Sequence, residues 1–240
     1  MARAQERPVK SVPRAVLWAL AMLFAVQVGL RWFDAPQAPP ASDLPKPPSR
    51  AALRLVSLGD PIPIAKLLML YLQAFDFRAG NRIPYQALDY SRVKAWLGSV
   101  VELDPDGQYP LMAASRLYAE VPQQNKQREM LDFVYEQFFK DPNRRWPWLA
   151  HGAAIAKHRL NDLPLARKYA AAIQEHATGE NVPLWARQME AFIAEDMNEL
   201  ETARIMIGGF IAKGLVKQPG ELRFLEQRLK DIEVRMKAAK

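Results

Sequence analysis

Apolar residues recur at intervals of three and four along most of the chain beyond residue 50, and no stretch alternates convincingly with a period of two. That spacing lines one face of an α-helix with side chains that leave water. The periodic segments are separated by Pro, Gly, Asn and Asp, the residues that stop helices and turn the chain. The pattern predicts a helix capped by Asp60, opened by Pro61 and running through Phe75. A second is expected from about Tyr90 to Leu103, stopped at Asp104-Pro105. Others are expected over roughly 110–120, 123–140, 146–160, 163–177, 182–197, 199–213 and 220–238. Connections this short make neighbouring helices antiparallel. The expected fold class is all-α.

The helices repeat. Asp104-Pro105 recurs as Asp141-Pro142, 37 residues on. Residues 160–167, LNDLPLAR, match residues 197–204, MNELETAR, at the same interval. In each copy an Asn, at 161 or 198, sits in a short turn between two helices. A small residue, Ala166 or Ala203, then lets the second helix approach the first. One such hairpin has no partner for its apolar face, so hairpins must stack.

These residues resemble the tetratricopeptide repeat family. Ala166 and Ala203 match its small residue, and Asp104-Pro105 and Asp141-Pro142 match its repeat end. The likeness covers about 87–213. The period here is 37 against the family's 34, and the boundary after Asp141 is Thr178-Gly179 in place of Asp-Pro. The resemblance implies a short α-solenoid of antiparallel hairpins whose concave surface takes a peptide or helix of another protein. Stacked helical hairpins outside that family remain the alternative. Beyond them Leu222, Leu225, Leu229, Ile232 and Met236 follow 3-4-3-4 spacing over two heptads. A capping helix over 219–239 that packs on the last hairpin is expected, with self-association as the alternative.

The N-terminal fifth reads differently. Residues 15–33 are apolar apart from Gln27, Gly29 and Arg31, and four basic residues, Arg3, Arg7, Lys10 and Arg14, precede them. A single transmembrane anchor is expected there, its flanking Trp18 and Trp32 suited to the interfaces. The basic flank, 1–14, is then a cytoplasmic tail, and the body lies across the inner (cytoplasmic) membrane, in the periplasm or outside. A cleaved signal peptide is the competing expectation. It asks for a shorter apolar run and a small-x-small site, where this chain has prolines. Residues 34–49 hold Pro36, Pro39, Pro40, Pro45, Pro47 and Pro48 and are expected to be an extended linker. Residues 50–240 form the helical repeat body.

The net charge is +7, but residues 51–212 carry 18 basic and 19 acidic side chains, so the excess sits at the two ends. A nucleic-acid binder would carry it on the folded body, so no nucleic-acid partner is expected. Cysteine is absent, which excludes disulfides and thiolate chemistry. His151, His158 and His176 lack metal-ligand spacing. No phosphate-cradling loop appears, and Gly208-Gly209, inside an apolar helix, suggests close packing or a kink. No catalytic residue, cofactor or metal site is assigned.

The sharpest local cluster is Arg144, Arg145, Trp146 and Trp148. Trp and Arg are enriched where proteins meet, and Trp at a helix start also wedges hairpins together, so partner contact and core packing are both open. The expected role is a scaffold or assembly factor in a bacterial-type envelope, binding another protein of a membrane complex and the bilayer through residues 15–33. A non-catalytic structural subunit and an enzyme of unrecognised class are the alternatives.

Overall fold

The computed structural model describes residues 12–33, 43–75 and 83–238. Arg3, Arg7 and Lys10 of the basic tail, residues 34–42 of the Pro-rich stretch, residue 239 and the side chains of 31–33 lie outside the described residues. Among the described residues the regular structure is helical, with no strand. The helices are α1 (Arg14–Phe33), α2 (Arg50–Val56), α3 (Pro61–Gln73), α4 (Tyr90–Leu103), α5 (Tyr109–Arg116), α6 (Gln124–Phe138), α7 (Pro142–His158), α8 (Leu163–His176), α9 (Leu184–Asp196), α10 (Leu200–Ala212) and α11 (Pro219–Ala238).

Local chemistry accounts for most boundaries. The Asp60 carboxylate accepts from the Ile62 N–H and caps α3, which Pro61 opens. Asp89 does the same for α4 through Ser91, and α4 stops at Asp104. The helix expected from 110 to 120 ends at Arg116, and a single 3-10 turn over Tyr118–Glu120 follows. α7 starts at Pro142, four residues before the expected start, and runs through Pro147. Pro147 lacks an N–H but lies close to the helix start, where little of the ladder is lost.

The two copies of the repeated turn share a left-handed Asn and differ in their closing bonds, which span six residues in the first and five in the second. Asn161 and Asn198 both take the left-handed conformation, with φ of 51° and 60°, which Asn adopts more readily than other side chains. The Asp162 N–H closes back onto the Ala156 carbonyl and the Glu199 N–H onto that of Ala194, both at 2.9 Å. Ala166 and Ala203 are both fully buried. The close approach has a further contributor that the sequence reading did not single out. A Cβ at Gly152 of α7 would meet Leu131 of α6 at 3.3 Å and Tyr169 of α8 at 3.8 Å. Gly208 and Gly209 are different. Nothing lies within 4 Å of where their Cβ atoms would be, and α10 runs unbroken through both, so close packing is not their role.

Helices pair in order: α3 with α4, α5 with α6, α7 with α8, and α9 with α10. α4 also meets α6, α5 meets α7, and α8 meets α9. Polar contacts between pairs fall about one repeat apart. Lys94 donates to Glu136 at 3.1 Å, Trp148 to Gln108 at 2.9 Å, and the Gly179 N–H to Asn143 at 2.7 Å.

One buried apolar cluster runs from Leu44 to Ile193, and a smaller one joins α9, α10 and α11. In the smaller one Leu225 and Ile232 are fully buried, with Leu229 and Met236 packed beside them. α11 therefore packs on the preceding pair through the expected seam. Glu195 of α9 is buried too, and it accepts from Arg228 at 2.7 Å and Arg235 at 2.6 Å.

Two segments of the N-terminal region are described, 12–33 and 43–49. Residues 43–49 form no helix or strand, and they do not hang free as linker. Leu44 is fully buried, its carbonyl accepts from Arg92 at 2.6 Å, and that of Pro45 accepts from Trp96 at 2.8 Å. Leu44 is the apolar residue among the prolines, and it binds this end to α4. α1 forms where the anchor was expected, with every residue from 15 to 28 exposed. Its apolar part, Arg14–Leu30, ends before Arg31, and no single helix among the described residues is long and apolar enough to cross a membrane.

Candidate functional site

The four residues singled out in sequence share the first turns of α7 but divide into two roles. Arg145 is 2% exposed. Its guanidinium donates at 2.7 Å to the carbonyl of Gln137, near the end of α6, and at 2.7 Å to that of Pro105, in the loop after α4. Burial pulls its pKa below the ordinary guanidinium value, with Asp141 opposing the shift. A buried charge held by two carbonyls is a structural clip, and it offers nothing to a partner. Arg144 is half-exposed and pairs with Asp106 at 3.0 Å and Asp141 at 3.1 Å. It brackets the same two Asp-Pro boundaries from outside.

The clip has a second copy. Arg187 is the fourth residue of α9, as Arg145 is of α7, and it donates at 2.8 Å to the Gly179 carbonyl, eight residues back. Arg145 also reaches eight residues back, to Gln137. The two helix starts lie 42 residues apart, so a search at the 37-residue period passes over this pair.

The tryptophans face outward in part. Trp148 is half-buried, its indole N–H bound to Gln108 at the start of α5. Trp146 meets Trp185 of α9 edge to face, with ring centroids 5.3 Å apart, and Trp185 is 52% exposed. Trp146 has counterparts along the chain. Tyr109, 37 residues earlier, is 44% exposed on α5. Phe224, 39 residues after Trp185, is 55% exposed on α11, its ring 6.1 Å from that of Phe192. Each of these helices thus presents at least one partly exposed aromatic side chain near its start, and α7 presents two. Tyr109 is joined to Gln73 of α3 by a hydrogen bond, and beside it an open cavity of about 480 Å³ is lined by Met69, Leu70, Val100 and Pro110. Tyr109, Trp185 and Phe224 lie outside the cluster singled out in sequence. Their spacing at one repeat was the available signal.

The histidines do not converge. His151 lies 3.2 Å from Glu120, His158 is exposed, and the ring of His176 stands edge-on to Phe139. No group of three His, Cys, Asp or Glu among the described residues is placed to hold a metal ion. Around the first turns of α7 the arrangement is aromatic and ionic. What it offers is aromatic area at regular intervals, with Arg144 and two aspartates alongside. Comparison with protein-family models, with curated proteins and with solved structures finds no match to this chain. The class defined by the described residues is an all-helical protein of successive helix pairs.

Proposed function

We propose that the chain is a membrane-tethered scaffold that binds another protein. In this reading the pairs α3–α4, α5–α6, α7–α8 and α9–α10 are tetratricopeptide-like hairpins stacked as a short solenoid. α11 caps it. Contacts about one repeat apart and the matched Asn161 and Asn198 turns support the stacking.

The observation that carries the binding role is a set of aromatics at repeat spacing: Tyr109, Trp185 and Phe224, which are exposed, and Trp146, which is half-buried against Trp185. Tyr and Trp supply large contact area with few rotatable bonds and are concentrated at interface hot spots. An extended peptide or a helix laid across the pairs would meet them in turn. The tether is α1: an apolar helix with all its described side chains from 15 to 28 exposed needs a nonaqueous neighbour. Arg14 at its start can reach the interface and shorten the span it must cover. The basic flank then keeps the N-terminus in the cytoplasm and the body on the far side of the inner membrane. Confinement at the membrane raises the effective concentration of a partner held there too.

The test is recovery of partners from native membranes in mild detergent, followed by mass spectrometry. It compares the full chain with a Tyr109→Ala, Trp185→Ala, Phe224→Ala variant. A stoichiometric partner that disappears from the variant, whose helical circular dichroism is unchanged, supports the scaffold. Equal recovery by both removes the aromatic row from the reading.

A further inference from the structure

We propose that the corner between α2 and α3 docks on an anionic lipid surface. The chain bends by 118° from one helix to the other. At the turn Leu58 and Gly59 both have positive φ, 47° and 97°. A branched side chain gains nothing from that backbone, which suits Gly or Asn. Leu58 gains nothing from packing either, because it is 92% exposed. Leu55 at 76%, Val56 and Ile62 stand exposed around it. Such an apolar tip is costly in water and is not accounted for by folding. The cores of the same helices are satisfied elsewhere: Leu53 of α2 and Ala65, Leu68, Met69 and Leu72 of α3 are buried. The corner therefore offers side chains to penetrate a surface without having to unpack the body.

Charge identifies the surface. The charged residues between 43 and 75 are Lys46, Arg50, Arg54 and Lys66 against Asp43 and Asp60; Arg50 is paired with Glu102 of α4, which leaves Lys46, Arg54 and Lys66 to meet a surface. Asp60 is engaged as the α3 cap, and Asp43 accepts from the Asp89 N–H. An apolar tip flanked by lysine and arginine matches the interface of a bilayer that carries anionic headgroups. Position agrees. Phe33 and Asp43 are ten residues apart, a span of at most about 35 Å, and Leu44 fixes the far end of that span to α4. If α1 sits in a bilayer, as proposed above, the corner is held within reach of the same surface. This inference rests on that anchor.

The chain has no cysteine, so Leu58→Cys carries a polarity-sensitive fluorophore at one place in the full-length protein. Lys217→Cys, at an exposed position after α10, serves as reference. Each is reconstituted into phosphatidylcholine vesicles with or without phosphatidylglycerol, and flotation reports insertion. In phosphatidylglycerol vesicles the label at 58 should shift to shorter wavelength and be quenched by nitroxide lipids, while that at 217 keeps aqueous emission. Arg54→Glu with Lys66→Glu should lose most of the shift. Aqueous emission at 58 from protein that floats with the vesicles overturns the docking and leaves the anchor standing. Blue emission insensitive to nitroxide lipids also overturns it and assigns the corner to a protein neighbour. Protein that fails to float overturns docking and anchor together.

Discussion

Arg145 and Pro105, forty residues apart, are joined by a 2.7 Å hydrogen bond from a buried guanidinium to a backbone carbonyl. The same side chain holds Gln137, so one residue fastens the ends of α4 and α6 to the start of α7. Arg145→Ala would leave both carbonyls without their donor and open a void in the core. A loss of about 2–4 kcal/mol is expected, or a melting point lower by about 5–10 °C. Arg144→Glu, at an exposed pair, should cost no more than about 1 kcal/mol. Thermal melts followed by circular dichroism separate the two, and equal effects would contradict the division of roles.

Glu195 decides whether α11 stays docked. Its carboxylate is buried while Arg228 and Arg235 keep much of their contact with water. Glu195→Ala should weaken the docking by about 1–2 kcal/mol. Hydrogen exchange is the sensitive measurement. Protection should fall across 219–238 and stay unchanged in α7 and α8, which share no buried cluster with α11. Uniform loss along the body would mean that α11 is no separate unit.

The Asn161 and Asn198 turns should respond identically. Valine at either place must adopt positive φ at a cost of about 1–2 kcal/mol. Glycine takes it freely and should leave the melting point near that of the parent. A glycine variant as damaged as the valine one would show that the amide side chain, and not the backbone, matters there.

Acid should loosen the α7–α8 turn. The Leu165 N–H donated to Asp162 and the Arg128 guanidinium hold that carboxyl below its ordinary value of 3.8, against the effect of burial. A depressed folded-state value means that the stabilisation is complete above the ordinary one and is lost as pH falls through the depressed one. Asp162→Asn should therefore be less stable than the parent at neutral pH, and the difference should close below the aspartate range. Denaturant midpoints across that range test it, and a gap that persists in acid would refute it.

What was legible in the sequence was local. Asp60, Asp89 and Asp104 bound helices through their own neighbours, and Asn161 and Asn198 declare a backbone that few other residues accept. α2 was not foreseen, because seven residues are too few to display a period. The start of α7 falls earlier than expected because Asp141-Pro142, which reads as a stop, opens that helix. Leu44 was hidden among prolines. Arg145 and Arg144 are adjacent in sequence and opposite in fate, and only the position of the Pro105 carbonyl distinguishes them. The aromatic row was written in the spacing, but each member alone resembles core.

Because the principal contacts join each helix to those one or two places along the chain, little of the body waits on its C-terminus. Each hairpin, once synthesised, already has beneath it the surface it needs. The body can therefore assemble in the order of translation, with short loops to close at each step. α11 arrives last and covers the α9–α10 pair, so a chain interrupted before residue 219 would expose that pair's apolar side and advertise itself to proteases as unfinished.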